Sequence, residues 1–79
     1  MTRSELMQKL VSMLMDIAPA VEISPEKSSV NLEELGYDSL DQSGLLLSID
    51  EQLGVKIEDS EVQGLRTLDD YAALLASRV

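Results

Sequence analysis

The residues best suited to chemistry lie together in the stretch 35–41, which reads Leu-Gly-Tyr-Asp-Ser-Leu-Asp. Gly36 is suited to end a helical turn, and Asp38 or Ser39 can cap the helix that the following apolar residues predict. Ser39 is therefore expected at a helix N-terminus with its hydroxyl exposed. A phosphate on that hydroxyl would face unpaired backbone N–H groups and the positive end of the helix dipole. The stretch predicts an attachment point for a phosphate-linked group, although Asp38 and Ser39 are also explained as ordinary capping residues.

The amino-acid sequence of this stretch resembles the attachment motif of acyl carrier proteins. The core of that motif is Asp-Ser-Leu, and its serine carries 4′-phosphopantetheine. The resemblance extends over nearly the whole chain, as far as Thr67-Leu68-Asp69-Asp70-Tyr71. It implies that Ser39 receives the group from coenzyme A under a separate phosphopantetheinyl transferase, and that Asp38 helps to position magnesium during this loading. It also implies a carrier and not an enzyme, since the thiol of the arm would hold the acyl group as a thioester.

Length and charge limit what else the chain can do. The 79 residues are enough for one domain, 1–79, with a small core made largely of helix faces. There is no room for an enclosed active site as well as a scaffold. The 15 acidic residues outnumber the 6 basic ones, which gives a net charge of −9. This balance argues against nucleic acid and anionic membrane surfaces as partners, and favours proteins with basic patches.

Two residue types that support much of enzyme chemistry are missing. Without cysteine the chain has no disulfide or thiolate metal site, and without histidine it lacks the usual zinc and triad chemistries. No intrinsic metal site is predicted. No apolar run approaches about 20 residues and no leader pattern opens the chain, so we expect a soluble cytoplasmic protein. We also expect a monomer. The start at Met1 favours a free-standing carrier, although an excised domain given a start codon would look the same.

The first half of the chain predicts one long helix and a long loop. Thr2 and Glu5 have capping-box spacing, and apolar residues at helical intervals predict a first helix over residues 3–17. Its methionines at positions 7, 13 and 15 are interpreted as adaptable core packing. Two prolines and several small polar residues then predict a long loop that apolar side chains pin to the core. A brief helical turn is expected at 31–35.

The second half predicts two further main helices. The first covers residues 40–53 and ends at Gly54, after which Val55 and Ile57 point inward from an extended connection. Asp59 or Ser60 is expected to cap a short helix that reaches residue 63. A final helix over 68–77 has Thr67 and Asp70 at capping-box spacing, and Leu68, Tyr71 or Ala72, Leu75 and Val79 on its apolar face. The predicted fold is all-α, a small bundle of three main helices plus one short helix with a long first loop.

The helix over 40–53 has apolar residues on two sides. At about 100° per residue, Leu45, Ile49 and Leu53 fall on one side, whereas Leu40 and Leu47 fall on the opposite side. A pair of exposed leucines beside Ser39 predicts a surface for docking partner proteins, although isolated exposed leucines are common. Gly44 is placed between the two leucines, where its lack of a side chain would allow close approach. The predicted partner-binding residues are Leu40, Asp41, Ser43, Gly44, Leu47 and Glu51.

The resemblance also bears on the pathway. Fatty-acid carriers usually have Val and Glu where this chain has Ser43 and Gly44, and more often have a small residue where it has Tyr37. We therefore favour polyketide or other specialised biosynthesis, with an acyltransferase, a ketosynthase or similar enzymes as partners. A housekeeping fatty-acid carrier and an aminoacyl or peptidyl carrier remain alternatives.

Functions of other classes fit the residues less well. A serine hydrolase would need a base near Ser39, and the stretch lacks the Gly-x-Ser-x-Gly elbow. No window has the alternating acids of a calcium-binding helix–loop–helix. A helical interaction adaptor that is never modified remains open, because it needs only the fold and the acidic surface.

Overall fold

The computed structural model describes residues Met1–Val79 as a bundle of helices without strands. No helix is both long enough and apolar enough to cross a bilayer. The expected all-α class with three main helices is confirmed, but there are two short helices because the turn expected at 31–35 is itself a helix. In chain order the helices are α1 Arg3–Ile17, α2 Leu32–Leu35, α3 Ser39–Leu53, α4 Asp59–Val62 and α5 Leu68–Ala76, with a 3-10 turn at Pro25–Lys27.

The helix α1 is the common partner of the other two long helices, since it packs against both α3 and α5. Its predicted capping box is confirmed. The Glu5 N–H donates to Thr2 Oγ1 at 3.1 Å, and the Thr2 N–H donates to Glu5 Oε1 at 2.9 Å. These bonds hold the pKa of Glu5 below its usual value, with the bond from the Thr2 backbone as the largest cause. The capping box thus satisfies two of the exposed backbone N–H groups at the start of α1.

The core contains fifteen buried residues in one cluster, and all of them are hydrophobic. Met7 and Met13 belong to it, as predicted, but the placement of Met15 in the core is wrong because its side chain is 54% exposed. The placement of Val79 on the apolar face is also wrong. The helix α5 ends at Ala76, so the helical period no longer controls where the last residue points. The buried residues are Leu6, Met7, Leu10, Met13, Leu14, Leu32, Tyr37, Leu45, Ile49, Val55, Leu65, Leu68, Tyr71, Ala72 and Leu75.

The long loop between α1 and α2 is held by packing and by the backbone, as the sequence predicts. Val21 and Ile23 are half-buried and pack against the core. The Ser28 carbonyl accepts a hydrogen bond from the Asp69 N–H at 3.0 Å. The N–H of Leu32, the first residue of α2, donates to the Arg66 carbonyl at 2.9 Å. These hydrogen bonds therefore hold the end of the loop and the start of α2 beside the start of α5.

The segment before α5 is organised by one carboxylate. Asp70 Oδ2 accepts hydrogen bonds from the N–H groups of Arg66 at 2.9 Å and Thr67 at 3.0 Å. The Asp70 N–H donates to Thr67 Oγ1 at 3.1 Å, which completes the predicted capping box. The bond from the Arg66 N–H is the largest cause that lowers the pKa of Asp70. Arg3 also pairs with Asp69 at 2.6 Å and joins the first turns of α1 and α5.

The short helix α4 lies where it was expected, but the predicted caps, Asp59 and Ser60, are wrong. Glu58 is the N-cap, and its N–H donates to Glu61 Oε1 at 3.1 Å. The long side chain of Glu61, the third residue of the helix, can reach back to this N–H. The helix begins one or two residues earlier than a cap at Asp59 or Ser60 would place it. Arg78 pairs with Glu61 and ties the chain beyond α5 to α4.

Truncation of two side chains of α3 should have opposite consequences for stability. Ile49→Ala should lower the free energy of unfolding by about 2–5 kcal/mol, because Ile49 is fully buried. Leu47→Ala should change it by less than about 0.5 kcal/mol, because Leu47 is 59% exposed. Urea denaturation of the two purified variants measures both quantities. A large loss at Leu47 would contradict the orientation of α3.

The charge of Asp70 should stabilise the fold only where the carboxylate is ionised. Asp70→Asn keeps the shape of the side chain and should cost about 1 kcal/mol at neutral pH. The pKa of Asp70 is lowered by folding, so its contribution is present above the unfolded pKa and is lost as the pH falls through the folded pKa. Denaturation of both proteins across this acid range should show stability curves that converge. Parallel curves would mean that the charge contributes nothing.

Candidate functional site

The helix α2 ends at Gly36, directly before the residues of the site. Gly36 has a φ of 113°, a left-handed value that side chains rarely adopt. Its N–H donates to the Glu33 carbonyl at 3.2 Å, and the Tyr37 N–H donates to the Leu32 carbonyl at 3.0 Å. This pattern ends α2, and the buried side chains of Leu32 and Tyr37 accompany it. The next residue, Asp38, is left at the surface where α3 begins.

Two carboxylates form the start of α3. Of the two caps that the sequence allows, Asp38 is the N-cap and Ser39 is the first helical residue. Asp38 Oδ1 accepts a hydrogen bond from the Asp41 N–H at 2.8 Å, and Asp41 Oδ2 accepts one from the Asp38 N–H at 3.1 Å. The sequence predicted Asp41 only as a partner-binding residue, and the reciprocal bond was not predicted. The capping-box spacing that identified Thr67 and Asp70 in α5 also holds for Asp38 and Asp41, and it is the signal that could have found this bond.

The Ser39 hydroxyl is presented on an open surface. Ser39 is exposed, and the N–H groups of Ser39 and Leu40 are those of a first helical turn, which have no partner within the helix. Beside Ser39 lies an open concavity of about 410 Å³ lined by Glu33, Gly36, Tyr37, Asp38 and Ser39. Glu33, in the short helix α2, was not predicted at this site. A large group attached to Ser39 would meet no steric barrier.

Tyr37 belongs to the core although it lies next to two exposed residues. Its side chain is only 1% exposed, and its hydroxyl has no hydrogen-bond partner, as is also true of the Tyr71 hydroxyl. Burial, and secondarily the charge of Asp41, raises the pKa of Tyr37. Tyr37 therefore anchors the site to the core, and its ring is not accessible to a partner protein. An unpartnered buried hydroxyl is unfavourable, so this anchoring carries a cost in stability.

The two leucines predicted to face outward do so. Leu40 is 80% exposed and Leu47 is 59% exposed, whereas Leu45 and Ile49 are fully buried. Ser43 and Glu51 are exposed, and Asp41 is half-buried. The structure thus places an apolar and acidic face on α3 beside Ser39. The function of this face in docking partners stays a prediction.

The predicted position of Gly44 on the open outer face is wrong. Gly44 is half-buried, and a Cβ atom added to it would lie 3.7 Å from Cδ1 of Ile17 at the end of α1. What approaches Gly44 closely is therefore the protein's own first helix. A helical wheel of α3 alone could not show this, because the position of α1 is a tertiary property. Any part of Gly44 in partner binding stays a prediction.

The acids of the site do not form a metal centre by themselves. No group of three or more acidic side chains lies close enough together to hold a metal ion. Asp38 uses Oδ1 in its bond to the Asp41 N–H, and its Oδ2 has no hydrogen-bond partner within the protein. One carboxylate oxygen next to Ser39 is thus available to an external ligand.

Comparison with known proteins identifies the family that this chain resembles. The family described as "Phosphopantetheine attachment site" matches residues 6–75. An acyl carrier protein of Thermosynechococcus vestitus is 30% identical over 100% of this chain and 98% of its own length. One of Nitratidesulfovibrio vulgaris is 33% identical over 90% of this chain and 93% of its own length. A meromycolate extension acyl carrier protein of Mycolicibacterium smegmatis is 32% identical over 94% of this chain and 75% of its own length.

The contact between Gly44 and Ile17 predicts the effect of a small side chain. Gly44→Ala should raise the free energy of unfolding by up to about 1 kcal/mol, since alanine favours the helix and 3.7 Å is an ordinary contact distance. Thermal denaturation measures the change. Gly54→Ala is the matched control and should destabilise, because Gly54 has a left-handed φ of 68°. Loss of stability in Gly44→Ala would mean that α1 and α3 cannot accommodate a methyl group.

Proposed function

This chain belongs to the acyl carrier protein family, and we propose that Ser39 is the residue that carries its 4′-phosphopantetheine. The protein is accordingly a carrier and not an enzyme. When bound, 4′-phosphopantetheine supplies a terminal thiol that holds an acyl group as a thioester. The residues of the chain hold this arm in the open and present it to enzymes.

The position of Ser39 is the observation that supports this proposal. It follows an aspartate N-cap, precedes an exposed leucine, and opens a helix of 15 residues. Ser60 is the other serine that follows an aspartate, but it is followed by Glu61 and lies within a helix of four residues. A phosphodiester on Ser39 would lie at the positive end of the long helix α3, beside N–H groups without helical partners.

In the loading reaction the carrier contributes the Ser39 oxygen and the position of the residues around it. The Ser39 oxygen forms a bond to the phosphorus of coenzyme A that bears the pantetheine, and the pyrophosphate bond of coenzyme A breaks. Adenosine 3′,5′-bisphosphate leaves, and the proton of the serine passes to a base of the transferase or to solvent. Asp38, whose Oδ2 has no partner in the protein, is proposed to help position the magnesium ion that the transferase uses. The remaining ligands would come from the transferase and from coenzyme A.

The outer face of α3 is the proposed docking surface for the phosphopantetheinyl transferase and for the enzymes that use the cargo. Leu40 and Leu47 offer apolar contacts beside the attachment point, and Glu51 continues the face with negative charge. Partners with a basic, partly apolar patch would complement it. The net charge of −9 would also favour encounters with basic surfaces over encounters with nucleic acid or anionic membranes.

For the cargo, we favour a polyketide or another specialised acyl chain over a housekeeping fatty acid. Three observations support this choice. Tyr37 replaces the small residue that fatty-acid carriers more often have, and Ser43 and Gly44 replace their usual Val and Glu. In addition, the relatives include a meromycolate extension acyl carrier protein. Fatty-acid carriage and aminoacyl or peptidyl carriage are the alternatives. The mass of the group that the protein holds when purified from its own organism distinguishes them. We further propose that residues 1–79 act as one monomeric carrier unit in the cytoplasm.

The attachment site is tested by mass. Incubation with coenzyme A, magnesium and a broad-specificity phosphopantetheinyl transferase should add one phosphopantetheine to each molecule of the wild-type protein. Ser39→Ala should abolish the gain, because it removes the nucleophilic oxygen and little else from an exposed position. Intact-mass spectrometry measures both results.

The matched control is Ser60→Ala, which removes the other serine that follows an aspartate and should leave the mass gain intact. A wild-type protein that never gains mass would favour an interaction adaptor that is not modified. A gain that persists in Ser39→Ala would place the attachment elsewhere, while the family and the fold would stand.

A further inference from the structure

We propose that Asp41 is a positioning residue for attachment at Ser39, which acts by holding Asp38 and the first turn of α3 in place. This inference rests on the proposed modification of Ser39. It gives Asp41 a different function from the docking charge that its position in the motif indicates. The distinction matters because a docking charge acts between two proteins, whereas a positioning residue acts within the carrier before any partner arrives.

The hydrogen bonds at the start of α3 support this function. Asp41 Oδ2 accepts from the Asp38 N–H at 3.1 Å, and the Asp41 N–H donates to Asp38 Oδ1 at 2.8 Å. These two bonds close a ring around Ser39 and Leu40, the two residues between the acids. The ring holds Asp38 in the extended backbone of an N-cap, and it leaves the other carboxylate oxygen of Asp38 without a hydrogen-bond partner. Both the nucleophile and the carboxylate beside it therefore depend on Asp41.

The partial burial of Asp41 agrees with a function within the carrier itself. Asp41 is half-buried, whereas Glu51 on the outer face is exposed. Its charge also contributes to the raised pKa of the buried Tyr37, after the larger effect of burial. A partly buried carboxylate that already accepts from a backbone N–H is less available to a basic partner than the fully exposed acids are.

The two functions predict different kinetics. Loss of a docking charge weakens the encounter with a basic partner, so KM rises, and the effect fades as salt screens the charge. Loss of a positioning bond lets the first turn of α3 fray, so fewer bound carriers have Ser39 in the reactive geometry. The rate constant kcat then falls, and salt does not restore it.

The experiment compares Asp41→Ala with Asp41→Asn in the transferase assay. Asparagine removes the charge but keeps an oxygen that can accept from the Asp38 N–H, whereas alanine removes both. Asp41→Ala should lower kcat for attachment by up to about fivefold, the limit set by loss of one hydrogen bond of about 1 kcal/mol. Asp41→Asn should stay within about twofold of the wild type. Initial rates at low and high salt separate kcat from KM for each variant.

A second measurement reports on the carrier without any enzyme. Amide hydrogen exchange followed by NMR should show faster exchange at Asp38 and Asp41 in Asp41→Ala, and nearly unchanged exchange in Asp41→Asn. Glu5→Ala is the matched control, because it breaks the equivalent reciprocal box at α1. It should lose comparable stability, while exchange at Asp38 and the rate of attachment stay unchanged.

The outcomes separate this inference from the proposed function. If Asp41→Asn is as impaired as Asp41→Ala, and both defects are rises in KM that shrink at high salt, Asp41 is a docking charge and the inference is wrong. An equal fall of kcat in Glu5→Ala would also overturn it, because general loss of stability would then explain the effect. If the wild-type protein is not modified at all, the proposed function fails, and the inference fails with it.

Discussion

The proposed attachment site at Ser39 depends on the burial of Tyr37 directly beside two exposed residues. Tyr37 is held in the core, and its N–H closes the turn that ends α2. The two residues that follow this anchor, Asp38 and Ser39, lie at the surface where α3 begins. The left-handed turn at Gly36 sets the direction in which they emerge. This arrangement accounts both for the buried side chain of Tyr37 under the site and for the exposed position of Ser39.

The anchor works only because α2 is itself held in place. A helix of four residues has almost no stability of its own. Here it is fixed by the buried side chain of Leu32 and by the bond from the Leu32 N–H to the Arg66 carbonyl. Arg66 is in turn held by Asp70 at the start of α5. The site is thus connected through a chain of short contacts to the helix at the other end of the sequence.

A carrier must keep its attachment point accessible and its scaffold inert, and the distribution of residues in this bundle suits both needs. Every buried residue is hydrophobic, so no charged group in the interior competes with the chemistry of the arm. The acidic side chains are left outside this core, and together they give the surface a net negative charge. The long helix α3 has its buried face against α1 and its exposed leucines beside Ser39. One helix therefore serves the core and the surface at once.

The residue pattern was sufficient to predict the long helices and the exposure of Ser39. The bounds of α1, the capping boxes of α1 and α5, and the two faces of α3 follow from local rules, because caps and helical periodicity act over three or four residues. The motif around Ser39 also carried the resemblance to the family. These features required no knowledge of how the helices pack.

Other features were decided by packing between distant parts of the chain. The contact of Ile17 with Gly44 joins residues on two helices, so the periodicity of α3 wrongly left Gly44 open. Glu33 lies six residues before Ser39 and in a different helix, yet it lines the concavity beside Ser39. The exposure of Met15 likewise depends on which side of α1 the other helices cover. Local patterns state which residues can be buried, but only the relative placement of the helices determines which of them are.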